Sequence, residues 1–254
     1  MVALLAATLL YAQRRFRSPF SEEDNPAPIP PDANERTEYV FARLRYPSVG
    51  GRYWGRGSWS TDYPKADRQF LQGVRRLTRL HTRSMEQVVD IDSDTMFDYP
   101  WIYAVEVGRW GLSDAQSRRL REYLDRGGFL MVDDFHGGYE WDVFVESMRR
   151  VYPDRPIVDL ESSDHVFHVL YDLDQRFQVP GIHTVWSGVT FEKGGYEPRW
   201  RGIYDSKELL VVAICHNMDL GDAWEWADRP EYPERYASLA YRVALNYIIY
   251  AMSH

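Results

Sequence analysis

The stretch Leu112–Gly138, LSDAQSRRLREYLDRGGFLMVDDFHGG, decides the fold. Ser113 is a good N-cap, and Gln116 stands three residues later, the spacing of a capping box. The helix it opens runs to about Arg126, with Leu120 and Leu124 on its core side, and Gly127 and Gly128 end it. Phe129–Val132 is then a continuous apolar run, as expected of a parallel strand covered on both faces. It stops at Asp133, Asp134, Phe135, His136, Gly137 and Gly138, and a second helix is expected over Trp141–Val151.

Outward from this unit the same alternation continues. Trp101–Val107 (WIYAVEV) reads as a strong strand, and Met85–Ile91 as a shorter one. Tyr39–Tyr46 (YVFARLRY) alternates apolar and polar residues and reads as a strand. Pro64–Thr82 has helical spacing, with Phe70, Leu71, Val74, Leu77 and Leu80 on one side. Pro47–Tyr63, with four glycines and many aromatics, is a loop. Toward the carboxyl terminus, Ile157–Leu160 is a strand candidate and 164–173 is mixed. Gly181–Val189 and Trp200–Tyr204 suggest hairpin-like strands around 193–198. Leu209–Ile214 (LLVVAI) is another buried strand, ending at Cys215, His216, Asn217, Met218 and Asp219. Tyr232–Met252 is a long final helix. Strand and helix in alternation predict an α/β domain over 37–254: a mostly parallel sheet with helices on both faces.

The remaining sequence bounds the setting. Val2–Ala12 (VALLAATLLYA) is too short to span a bilayer, which takes about 20 residues. It matches the apolar core of a secretory signal, or an uncleaved anchor followed by Arg14, Arg15 and Arg17. Residues 1–17 are therefore expected to be a signal peptide or N-terminal anchor. Residues 18–36, with five prolines, are expected to be a linker. The expected location is exported, periplasmic or otherwise extracytoplasmic, with membrane attachment only through the N-terminal segment. The net charge of −8 argues against nucleic acid as a partner, since that footprint needs a basic face. The lone Cys215 makes no intrachain disulfide and sits in an apolar run, as a buried thiol does.

In open α/β sheets, ligands sit outside the carboxyl ends of the strands. Two apolar strands end in ionisable clusters, one bearing Asp133, Asp134 and His136, the other His216, Asn217, Asp219 and then Asp222. If both strands are central, the clusters share one crevice. The loop carrying Arg52, Tyr53, Trp54, Arg56, Trp59 and Asp62 overhangs the same edge, and His165 and His168 could approach it from the irregular segment. Asp133, Asp134, His136, His216 and Asp219 are the candidates for acid–base work or metal ligation. Arg52, Tyr53, Trp54, Trp59 and Asn217 are the candidates for ligand contact, the tryptophans as stacking platforms. A divalent metal suits such a set, and no other cofactor is called for. The plainer alternative stands beside it: the aspartates cap helices or pair with arginines, and His136 is a turn residue. Adjacent residues of an extended strand point to opposite faces, so at most one of Asp133 and Asp134 enters the site directly. A second acid must then be Asp219, Asp222 or Asp62. There is no GxSxG elbow, GxGxxG loop, GxxxxGK loop or HExxH pair.

The segments FARLRYPSVGG (Phe41–Gly51), Leu112–Gly137 and HNMDLGDAWEWAD (His216–Asp228) carry a resemblance. Over Tyr39–His254 the chain resembles domain-of-unknown-function family 4159. That family is grouped with the class I glutamine amidotransferase-like and trehalose-utilisation-type proteins. The resemblance implies a three-layer, flavodoxin-like fold and an exported or membrane-anchored setting. In true glutaminases the turn after the central strand holds a nucleophilic Cys; here it reads DDFHGG. Two functions are therefore expected to compete. One is a cell-envelope module that binds a ligand or an envelope protein without turnover. The other is a hydrolase, metal-dependent in one form, acting on a glycan or other envelope substrate.

Overall fold

A computed structural model describes residues 28–50 and 58–254. The apolar run Val2–Ala12, the arginines after it, the linker up to residue 27, and Arg52, Tyr53, Trp54 and Arg56 lie outside the described residues. Residues 31–34 form a turn, and Asp32 accepts hydrogen bonds from the Ser84 amide (3.0 Å) and hydroxyl (2.8 Å).

The apolar run after Gly128 forms strand β4 (Phe129–Asp133), every residue of which is buried. Its neighbours β3 (Trp101–Val105) and β7 (Leu210–His216) are parallel to it and equally buried. Numbered in chain order, the seven strands lie as β2-β1-β3-β4-β7-β6-β5. β1 (Ala42–Arg45) and β2 (Gln87–Asp90) are also parallel. β6 (Arg199–Tyr204) and the two-residue β5 (Val158–Asp159) are antiparallel additions at one edge. The chain is thus α/β with a mixed, mostly parallel sheet.

Side chains alternate across a strand, so the sheet carries a separate core on each face. Trp101, Tyr103, Val105, Phe129 and Met131 pack with helices α1 (Lys65–Leu77), α5 (Leu220–Glu225) and α6 (Glu234–Ser253). Ile102, Ala104, Leu130 and Val132 pack with α2 (Asp114–Asp125) and α3 (Gly137–Val151). The capping box at α2 is formed in both directions: Ser113 Oγ accepts from Gln116 N, and Gln116 Oε1 accepts from Ser113 N.

Four expectations need correction. Helix α3 starts at Gly137, not near Trp141, because Glu140 reaches back to accept the His136 amide at 2.7 Å. Helix α1 stops at Leu77, which is half-exposed, and Leu80 lies beyond it. Residues 181–189 hold the short helix α4 (Ile182–Trp186), not a strand; its Ile182 amide donates to Asp222 Oδ2 at 2.7 Å. The hairpin is instead β6 with β7. The alternation in β1 does not separate core from solvent either, since Arg43 is as buried as Ala42 and Leu44. Arg43 Nε donates to both oxygens of Asp67, at 2.8 and 3.0 Å, and Nη1 donates to the carbonyls of Trp59 (3.0 Å) and Thr61 (2.9 Å). A desolvated guanidinium is tolerated only with such a full set of acceptors. The same bonds hold the end of the loop, and with it Asp62, against the sheet.

Candidate functional site

The carboxyl ends of β4 and β7 are adjacent, and the turns that follow them interlock. The Asp134 amide donates to the Met218 carbonyl at 3.1 Å, and the Asn217 amide to the Phe135 carbonyl at 3.0 Å. Gly137 N donates to Asn217 Oδ1 at 2.9 Å. The two sequence clusters therefore form one face, and their members divide into supports and an inner set.

Asp133, the last residue of β4, is a support. Its Oδ2 accepts from the amides of Leu220 (2.8 Å) and Gly221 (3.0 Å) and from the Tyr103 hydroxyl (3.1 Å). It thus holds the first turn of α5, where a carboxylate meets unpaired amides and the positive end of the helix. Asn217 is also a support, with both ends of its amide used: Nδ2 donates to the Glu197 carbonyl at 2.8 Å. His216 Nε2 lies 3.2 Å from the Gly137 carbonyl, and the ring is 4.9 Å from both Phe135 and Trp141. Burial pushes its pKa down to about 4, so it stays neutral at pH 7. Trp59 is 2 % exposed and packs against Tyr63, leaving no ring face for a ligand to stack on. Cys215 is buried within the core. His165 packs on Tyr250 and His254, and His168 is bonded to Asp172 and the Ser162 carbonyl. The Tyr250 hydroxyl accepts from the amide of Leu210, the first residue of β7, so His165 belongs to the opposite end of the sheet.

The inner set is acidic. Asp62 (before α1), Asp134 (after β4) and Asp219 (before α5) each present an oxygen within 4.8 Å of the other two. Asp62 makes a second such group with Asp222 and Glu225. Asp133 and Asp134 part company, one capping α5 and the other entering the cluster, although Asp134 lies past the end of the strand with φ +51° and not in extended backbone. Two glycines leave room for it. A methyl built on Gly221 would stand 2.7 Å from Asp62 Oδ2 and 3.7 Å from Asp219 Oδ1. One on Gly181 would stand 2.7 Å from Asp219 Oδ2 and 3.1 Å from both Asp222 Oδ2 and Glu192 Oε1. His136 Nε2 lies 3.2 Å from Asp134 Oδ1, and burial lowers the pKa of this imidazole.

Sequence reasoning missed a second ring around Asp134. Glu106 follows β3 directly and pairs with Arg109 (3.3 Å). Glu140 accepts from Lys193 Nζ at 2.8 Å, with Arg109 3.5 Å away. Glu106 was findable by the rule that found Asp133, because it directly follows the apolar run WIYAV. Lys193 carried no signal; an irregular segment distant in sequence delivers it.

Burial raises the pKa of Asp62, Asp134, Asp219 and Asp222, reinforced in the first three by neighbouring negative charge. Asp134 is pushed up to about 8, chiefly by burial, with Lys193 opposing and Glu192, Asp222 and Glu140 adding to the rise. Asp62 is raised well above the carboxylate range by burial and then by Asp222, Asp134 and Glu225, and Asp219 by burial and then by Asp134, Asp222 and Asp62. Glu106 is pushed up to about 8 by burial and by Asp134. Six non-glycine residues have positive φ among the described residues, and five of them (Asp62, Glu106, Asp134, Lys193 and Asn217) are on this face. Backbone in that region costs energy in L-residues and concentrates at functional sites. Chemically, the arrangement can bind a cation or cationic group, or share protons between carboxyls; it presents no Ser or Cys nucleophile.

Among curated proteins the chain has no match. The family model described as "Domain of unknown function (DUF4159)" matches residues 40–252, from before β1 to the penultimate residue of α6. The chain belongs to this family of domains of unknown function, DUF4159.

Proposed function

We propose that the chain is an exported ligand-binding or assembly module of the bacterial cell envelope, which holds an envelope glycan or protein through its acidic face without turning it over. The observation that carries this reading is the convergence of Asp62, Asp134 and Asp219 at the carboxyl ends of the strands, beside a strand-to-helix turn with no nucleophile. Support for export comes from the apolar run Val2–Ala12, the prolines after it and the family resemblance. Among the described residues, no helix is long and apolar enough to cross a membrane. We also propose the finer fold, flavodoxin-like and related to the class I glutamine amidotransferases. In its favour is the order β2-β1-β3-β4-β7, which matches the doubly wound 2-1-3-4-5 pattern with β7 as fifth strand.

A hydrolase is the second reading, and one distance favours it. Carboxylates more than about 10 Å apart would be too distant for a paired-acid mechanism. Asp62, Asp134 and Asp219 approach within 4.8 Å, and His136 adjoins Asp134. The deciding experiment incubates the full chain with soluble peptidoglycan and other envelope glycan fragments, measuring both bound ligand and product masses. Retention of intact ligand, weakened by Asp219→Asn, is the expected outcome. Product that accumulates with the wild type and disappears with Asp134→Asn would replace the binding reading with the hydrolase.

A further inference from the structure

Asp62, Asp134 and Asp219 come from three separate elements, and each is more than nine-tenths buried. No arginine or lysine pairs with any of them among the described residues: Arg43 is bonded to Asp67, Lys193 to Glu140, and Arg109 to Glu106 and Glu140. Two of the three have hydrogen-bond partners. Asp219 Oδ1 accepts from the Asp222 amide at 2.8 Å, and Asp134 Oδ1 meets His136. Asp62 Oδ2 differs: it is enclosed and accepts no hydrogen bond. It faces the Asp219 side of the cluster, since both residues border the space beside Gly221. A buried carboxylate oxygen without a donor is costly, and such oxygens are usually satisfied by something.

The spacing says what could satisfy it. Two oxygens on opposite sides of one ion, at about 2.1–2.4 Å each, stand about 4.2–4.8 Å apart. The three oxygens lie within 4.8 Å of one another, so one ion can touch all three. The donor set is carboxylate oxygen alone, the preference of hard cations and not of zinc or copper. Neither nearby imidazole belongs to the group of converging oxygens; His136 Nε2 meets Asp134, and His216 Nε2 meets the Gly137 carbonyl.

We propose that Asp62, Asp134 and Asp219 bind one hard divalent cation of the Mg²⁺, Mn²⁺ or Ca²⁺ class, which keeps its other positions for water or for oxygens of the ligand. This deepens the binding reading above and rests on it, because the cation is the contact through which ligand hydroxyls or carboxylates are held.

The test uses the full chain, stripped with chelator and desalted. Mn²⁺, Ca²⁺ and Mg²⁺ are each titrated calorimetrically, and melting is followed with and without each ion. The expected result is one ion per chain and a raised melting temperature. Asp62→Asn and Asp219→Asn should weaken binding about tenfold or more, while melting without ion at or above the wild-type temperature. Tb³⁺ gives a measurement that needs no variant: Tyr103 lies beside Gly221, so bound Tb³⁺ should emit on tyrosine excitation and be displaced by Ca²⁺. No saturable binding of any of the three ions up to about 10 mM overturns the proposal, as does binding that both variants leave unchanged. Glycan binding undiminished by chelator overturns the cation site and leaves the binding module. A cation site that binds no glycan or envelope protein does the reverse.

Discussion

Arg43 shows how one side chain can set a site it does not touch. Its guanidinium has no exposed surface, is matched by Asp67, and holds the carbonyls of Trp59 and Thr61 next to Asp62. Removing one partner of a buried pair leaves the other charge uncompensated, so Arg43→Ala is expected to cost about 3–5 kcal/mol in urea denaturation. The double replacement Arg43→Met, Asp67→Leu should recover only part of this, because the two carbonyls stay unmet. Full recovery would show that the carbonyl bonds contribute nothing. Legibility at this scale was uneven. Asp134 and Asp219 could be read because each closes an apolar strand. Asp62 could be read only as one of three alternatives for a second acid, since nothing local marks a loop residue as facing a sheet edge. Trp59, read as a platform for a ligand, is core, and sequence does not distinguish a buried indole from an exposed one.

Elements with strong local signals came through best. The capping box, the glycines closing α2 and the apolar run of β4 are short-range features whose outcome depends little on the rest of the fold. Ser113→Ala should therefore cost about 1 kcal/mol, read from the denaturation midpoint, as for other lost caps. The start of α3 was misread because two glycines suggest a turn. Gly137 is required for another reason: its φ is +69°, and a methyl there would stand 2.1 Å from the Lys193 carbonyl. Gly137→Ala is expected to destabilise by about 1–3 kcal/mol from backbone strain alone. It should also push the 192–195 segment away, exposing Lys193 to amine-reactive labelling; unchanged labelling would argue against that coupling. The false hairpin at 181–189 came from reading an irregular segment by composition, where long-range contacts such as Ile182 with Asp222 decide the conformation.

For the whole molecule the acidic face has an electrostatic signature. Glu106 and Asp134 are pushed up to about 8 in the fold, against about 4 in an unfolded chain. Between those values the folded state binds more protons, so their contribution to stability falls as pH rises toward the folded pKa. His136 and His216, both lowered by burial, act in the opposite sense, but only below about pH 6.5. The clean window is therefore about pH 6.5 to 8. Chelator-treated protein is expected to melt at progressively lower temperature across it, and Glu106→Gln should flatten the trend. A melting temperature that climbs over the same interval would mean these carboxyls are compensated. The parallel α/β plan was legible because alternating helices and buried strands admit few other arrangements. Of the antiparallel edge, the strands at Ile157–Leu160 and Trp200–Tyr204 were legible but their partners were not, because no local pattern records which distant strand each one joins.

That edge has a consequence for how copies of the chain can meet. A sheet border is a template for strand addition only if it offers a run of unpaired backbone groups. On one side the border is two residues long, and Asp159 is bonded to Arg201 of the next strand at 2.8 Å. On the other, Arg83 Nη2 donates to the Glu86 carbonyl at 3.3 Å, and Gln87 Nε2 donates to the Val88 carbonyl at 3.1 Å. Both margins are blunted, one by brevity and charge and the other by side chains on its own carbonyls. At high local concentration such a protein resists growing sheet upon sheet into fibres, and its contacts with neighbours must be made through side chains instead of backbone.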